Sequence, residues 1–223
     1  MKLQIFIILI SLAFYQISFG QEDREKLLND YYKENPAKFI IKTNPFTILT
    51  GPILYTSEYR LAFEGVTFKK QSIQLGVSYL GKGPMLRTLE KTDTTFTQNH
   101  LKLKVNGYRL QFSYKIYFSK NTLKGFYVAP HFSYSSVKFK NSSQPNNNST
   151  FIHAIYVNFA IKGGYQFLIN RKLALDLFLG YGYKENTWYE VRNLNYKNSD
   201  ETNSYIIPEP IKIYLGLNIG LAF

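Results

Sequence analysis

Residues Ile211 to Phe223, IKIYLGLNIGLAF, alternate without a break between large apolar side chains and polar or small ones. Ile211, Ile213, Leu215, Leu217, Ile219, Leu221 and Phe223 fall on one face; Lys212, Tyr214, Gly216, Asn218, Gly220 and Ala222 fall on the other. A period of two is the pattern of a strand with one greasy and one polar side. The sequence stops there, on an aromatic residue. The stretch predicts the closing strand of an outer-membrane β-barrel.

The same period recurs upstream. Tyr59, Leu61 and Phe63 alternate with Glu58, Arg60, Ala62 and Glu64, and Ile73 to Tyr79 follow suit. Tyr108 to Phe118 sets aromatic and aliphatic residues against Arg109, Gln111, Ser113, Lys115 and Tyr117. Further strands run from Phe126 to Ser135, Ile155 to Tyr165 and Leu173 to Tyr183. Ala37 to Thr50 is apolar but irregular, and predicts a first strand bent or bulged at Asn44-Pro45. The expectation is an all-β fold, an eight-stranded antiparallel up-and-down transmembrane barrel over residues 37–223, its strands long enough to cross a bilayer when tilted.

The connections carry a second signal. Residues 65–71, 119–124 and 168–172 are short, whereas 81–106, 140–150 and 184–208 are long and polar. Outer-membrane barrels have short periplasmic turns and longer outside loops, which puts both termini in the periplasm. A water-soluble barrel of lipocalin type is the rival, with its apolar faces turned inward. Gly, Ala and Ser on the polar face, Tyr and Phe at the ends of the apolar face, and a chain that stops with its last strand favour the membrane form.

Ahead of the barrel, Lys2, the apolar run Ile5 to Tyr15 and the small residues Ser18 and Gly20 predict a signal peptide over 1–20. Residues 21–36 form a charged periplasmic leader. With no cysteine, disulfides, thiolate catalysis and a lipid anchor on cysteine are excluded. Lys and Arg number 27 against 15 Asp and Glu, a charge of +12 that falls to +11 without Lys2. Export argues against nucleic acid as the partner; outer-membrane lipid and lipopolysaccharide around the rims account for the basic balance. The 19 Tyr and 18 Phe suit membrane–water interfaces.

The terminal strand, with Leu221 and Phe223, resembles the signature that the barrel-assembly machinery recognises in Gram-negative outer-membrane proteins. The signal, strands and loop alternation together resemble small eight-stranded outer-membrane proteins. The segment from Phe39 through Leu80, with KTNPF and EYRLAF, is similar to poorly characterised barrel families of unknown function. The resemblance implies location and fold and is silent on activity.

Glu58, Arg60, Glu64, Arg109, Lys115, Lys162, Asp176 and Lys212 fall on the predicted lumen face. Eight strands enclose a space that side chains fill, so these charges are expected to form a paired polar plug, with a narrow anion-preferring pore as the alternative. His131 and Ser133 share a strand face, where an imidazole could activate a hydroxyl. The His-x-Ser pair resembles that of outer-membrane lipid A deacylases, but Tyr134 follows it where those enzymes have Asn, and no acidic partner is near. This leaves a lipid-modifying enzyme as a further alternative to a non-enzymatic barrel. His100, His131 and His153 have no ligand spacing, and no metal or cofactor is expected. In the outside loops Trp188, Tyr189, Arg192 and Tyr196 are candidate anchors for an envelope or surface protein.

Overall fold

A computed structural model describes residues 37–49, 51, 56–92, 102–119, 122–141, 151–192, 195–198 and 210–223. The expected signal peptide and leader lie outside the described residues. The strands are β1 (Phe39–Thr43), β2 (Thr56–Phe68), β3 (Gln71–Lys82), β4 (Leu103–Tyr117), β5 (Gly125–Asn141), β6 (Phe151–Ile169), β7 (Leu173–Arg192), β8 (Asn195–Asn198) and β9 (Ile211–Ala222). One helix, α1 (Pro84–Thr92), follows β3.

Eight of these strands close into an antiparallel barrel. Each pairs with its neighbour in sequence from β1 to β7, then β7 pairs with β9 and β9 returns to β1. The closing seam sets Ile41 opposite Leu221 and Lys42 opposite Gly220. Strand β8 stands outside this ring and forms a hairpin with the far end of β7, pairing Glu190 with Lys197 and Val191 with Tyr196. The long polar segment expected over 184–208 therefore begins as strand, because Thr187 to Val191 continue the alternation past Tyr183.

The first strand is shorter than expected. It ends at Thr43, and Asn44 caps a single 3₁₀ turn over Pro45–Ile48, its side chain accepting from the Phe46 N–H at 3.1 Å. Pro45 starts this turn rather than bulging a strand, since its fixed φ suits the first position of a helix and it has no N–H for a ladder. Pro130 lies within β5 itself. There the β4–β5 pairing runs to Ser113–His131 and resumes at Ile116–Val128, leaving out the step opposite the proline.

The rim carrying Phe39 and Phe223, here the near rim, has the tight turns. Lys70, Asn170 and Arg171 take positive φ there, as does Leu123 in the turn between β4 and β5. At the opposite, far rim stand α1 and the β7–β8 hairpin. The helix docks through Leu86, which packs with Leu80, Val105 and Val137. Lys82 reaches Glu90, which also accepts the Leu103 N–H at 2.8 Å.

Candidate functional site: a polar lumen in two tiers

The barrel is inside out. Ile213 and Leu215 are 70% and 84% exposed, while Lys42, Glu64 and Asp176 are 1%, 0% and 0% exposed. Rows such as Tyr59–Leu61–Phe63, Leu75–Val77–Tyr79 and Tyr108–Leu110–Phe112 all face outward. So large an apolar belt is stable only against lipid. Rings mark both of its edges, with Phe39 stacked on Phe63 and Phe223 near one rim, and Tyr59–Tyr79 and Tyr108–Tyr134 pairs toward the other. A concavity of about 670 Å³ opens on this outer face between Phe112, Phe132, Phe159, Ile161 and Tyr181. Its walls are mostly belt side chains, and the charged groups lie in the lumen.

Alternation sends every second residue of each strand into that lumen, and seven of the eight charges expected there are buried. Lys212 is half-buried. They divide into two tiers. The lower tier, toward the near rim, is a quartet of two ammoniums and two carboxylates. Lys115 lies 2.8 Å from Asp176 and 3.1 Å from Glu64. Lys42 lies 3.0 Å from Asp176 and also pairs with Glu64. The remaining carboxylate valences are met by Ser72 (2.6 Å) and Tyr117 on Glu64, and by Tyr127 (2.6 Å) and Asn218 (3.0 Å) on Asp176. Gln166 accepts from both lysines and donates to the Leu123 carbonyl at 2.8 Å. Each of the eight barrel strands contributes a side chain, and the fully buried Leu123 ties in the β4–β5 turn.

Lys42 is the member the sequence reading missed. The Asn44-Pro45 interruption obscured the alternation of FIIKT, in which Ile40 and Lys42 face inward and Phe39, Ile41 and Thr43 outward. That pattern was the available signal, on a strand too short to stand out.

The upper tier is built differently. Glu58 accepts from Arg109 at 2.9 Å and from Gln111 and Ser78 at 2.7 Å each. Arg60 donates to Asn218 at 3.3 Å, linking the tiers. Lys162 lies over the rings of Phe178 (4.8 Å) and Tyr214 (4.7 Å), and Lys212 lies 5.1 Å from the same Tyr214 ring. Among the described residues no carboxylate is within salt-bridge distance of Arg60, Lys162 or Lys212.

His131 and Ser133 both face the lumen but are not hydrogen-bonded to each other. The His131 Nδ1 pairs with Ser113 across the β4–β5 ladder at 2.8 Å. The Ser133 oxygen accepts from Arg109 at 3.1 Å and Asn158 at 3.0 Å. Among the described residues no group of three His, Asp or Glu is placed to hold a metal ion.

Trp188 and Tyr189 belong to β7 rather than to a loop. The Trp188 ring stacks on Phe139 at 6.1 Å and meets Tyr156 edge-on at 5.7 Å, while Tyr189 faces His153. Trp188 thus packs against ring neighbours at the far mouth. Arg192 and Tyr196 lie on the β7–β8 hairpin, and their side chains are outside the described residues. Leu221 and Phe223 are exposed on the belt, and the Phe223 carbonyl accepts from the N–H groups of Lys38 (2.7 Å) and Phe39 (3.2 Å).

A closed sheet with a charged, hydrogen-bonded interior and an apolar outer belt defines a membrane-spanning β-barrel. Residues 53–219 match the model of a family described as "protein of unknown function (DUF3575)", and the chain belongs to that family. Among solved structures it is similar to a major outer membrane protein from Thermus thermophilus, at 15% identity, with 84% of this chain and 99% of that one covered and a TM-score of 0.41. None of the curated proteins compared with the chain matches it.

Proposed function

We propose that the chain is a non-enzymatic outer-membrane barrel with a sealed lumen, whose role is structural or interaction-based. It would act through its far-rim elements or as a small subunit of an envelope assembly. The observation that carries this reading is the lower tier. Two cations and two anions, joined by side chains from all eight barrel strands, fill the cross-section with paired groups and leave no charge for a passing ion to displace cheaply. Short turns at the rim of Phe39 and Phe223, with longer connections opposite, support a periplasmic position for both termini. The hydrogen bonds that draw His131 to Ser113 and Ser133 to Arg109 support a filling role for that pair.

Planar-bilayer recording tests the seal. The purified chain is expected to give no discrete conductance steps, and reproducible openings would overturn it in favour of the narrow pore. Lipid A from cells overexpressing the chain should match that from cells expressing His131→Ala; a difference would revive the enzymatic reading.

A further inference from the structure

The upper tier has more cation than its carboxylate can balance. Among the described residues, Arg60, Arg109, Lys162 and Lys212 share the upper lumen with Glu58 as their carboxylate, and Glu58 is already committed to Arg109, Gln111 and Ser78. The lower tier offers no spare negative charge, because each carboxylate there has two lysines. An uncompensated charge taken out of water costs several kcal/mol even after relaxation, a cost that a lysine sheds by losing its proton or that a bound counter-ion offsets.

The excess is gathered around one ring. Lys162 and Lys212 both reach Tyr214, and the His131 ring meets Tyr214 edge-on with centroids 5.4 Å apart. His131 is 3% exposed; with Nδ1 turned to Ser113, its Nε2 is buried without a partner. If Ser113 donates to Nδ1, Nε2 carries the proton and is a free donor. The Nε atoms of Arg60 and Arg109 are also buried without acceptors. On β7, between Lys162 of β6 and Tyr214 of β9 and paired with both, stands Gly180, where a Cβ would sit 2.8 Å from the Lys162 stem and 3.3 Å from Tyr214. The absence of a side chain there gives Lys162 its place in the lumen.

We infer that the upper tier binds a small inorganic anion of halide type between Lys162, Lys212 and the Nε2 of His131. The ligand class follows from the donors: two ammoniums and one imidazole N–H, with no planar fork of the kind that selects carboxylate. The ion offsets part of that excess where Lys162 and Lys212 meet, and supplies the acceptor that His131 lacks. It is a structural counter-ion above the seal and goes beyond the sealed-barrel reading.

The test uses the full chain refolded in detergent, with thermal unfolding followed by heat-modifiable migration at constant ionic strength in sodium chloride or sodium gluconate. Chloride is expected to raise the midpoint by roughly 3–6 °C at a tenfold excess over its Kd and to saturate, since gluconate is too large to enter. Lys162→Met should abolish the difference, and Lys69→Met, on an exposed turn, should retain it. Equal midpoints in the two salts, or a chloride effect unchanged in Lys162→Met, would overturn the assignment. Should Lys162→Met fail to fold, wild-type crystals grown in bromide decide the matter. An anomalous peak beside Lys162, Lys212 and His131 supports the site, and a lumen without one refutes it.

Discussion

Replacing Asp176 by Asn keeps the shape of the lower tier and removes one of its two negative charges. In the native barrel Asp176 accepts from Lys115 at 2.8 Å, Lys42 at 3.0 Å, Tyr127 at 2.6 Å and Asn218 at 3.0 Å. After substitution both lysines share Glu64 alone, inside a lumen where neither ammonium reaches water. Breaking a buried pair by removing one partner costs about 3–5 kcal/mol. At roughly 2–4 °C per kcal/mol for a chain of this size, the midpoint should fall by about 6–20 °C. Heat-modifiable migration in detergent gels reads this directly, because the folded barrel and the boiled chain migrate differently. The informative control is Asp176→Asn with Lys115→Met, which restores one cation to one anion as Lys42–Glu64. This double variant should recover a large part of the loss, through a coupling of about 0.5–3 kcal/mol. A single variant that melts within about 2 °C of wild type, or a double variant whose loss equals the sum of the two singles, would refute the claim that the quartet acts as one charge-balanced unit.

Other consequences follow from the same geometry. Gly182→Ala places a Cβ 2.1 Å from the Phe159 carbonyl and should cost at least about 1–3 kcal/mol, while Gly163→Ala meets nothing within 4 Å and should stay within about 0.5 kcal/mol; both are read as melting midpoints. Burial alone would raise the Glu90 carboxyl, but the Lys82 ammonium and the Leu103 N–H outweigh it and hold it below the ordinary value of 4.5. The docking it provides is therefore complete above pH 4.5 and is lost as pH falls through the lower folded value. Hydrogen exchange across α1 should accelerate in acid for wild type, and Glu90→Gln should show the faster exchange already at neutral pH. Trp188 is the single tryptophan, so Phe139→Ala, which removes its stacked partner, should move emission to longer wavelength without unfolding the barrel. Because the chain has no cysteine, single cysteines at Lys70 and Thr92 report orientation; labelling of intact cells at Thr92 but not Lys70 is expected, and the reverse would invert the proposed topology.

The period-two signal was enough for the barrel because each strand has only two faces and two environments to sort between. Glu58, Glu64, Lys115 and Asp176 are buried, and every one of them alternates with a belt residue. The signal could not say which lumen charges meet, because that depends on register around the ring: Lys115 on β4 and Asp176 on β7 face each other across the interior, three strands apart along the sheet. Ser113 was a different case. It lies directly opposite His131 in the β4–β5 ladder, so a correct turn length would have revealed that His131 has a nearer partner than Ser133. Helix α1 was hidden in a polar stretch by its length, nine residues with one buried side chain, Leu86. The segment after Tyr183 is rich in charge and amide, which predicts loop at Trp188, yet TWYEV keeps the strand period, and the ring turns to Phe139 and Tyr156.

The composition of the lower tier bears on how the barrel closes. Lys42 comes from β1 and Asn218 from β9, the two strands whose pairing shuts the ring, and both reach Asp176 on β7. Lys42 lies beside Glu64 through the β1–β2 ladder, and Asn218 faces Asp176 directly in the β7–β9 ladder; the contact that spans the seam is the one between Lys42 and Asp176. Closure brings Asp176 its second ammonium, so completion of the quartet and completion of the sheet coincide. A barrel missing Lys42 would still have all its ladder hydrogen bonds but would close over an unbalanced interior. Lys42→Met should therefore populate an open, water-accessible seam, seen as faster exchange of the β1 and β9 amides relative to those of β4 and β5. Uniform exchange around the ring in that variant would show that the sheet closes independently of the charges it encloses.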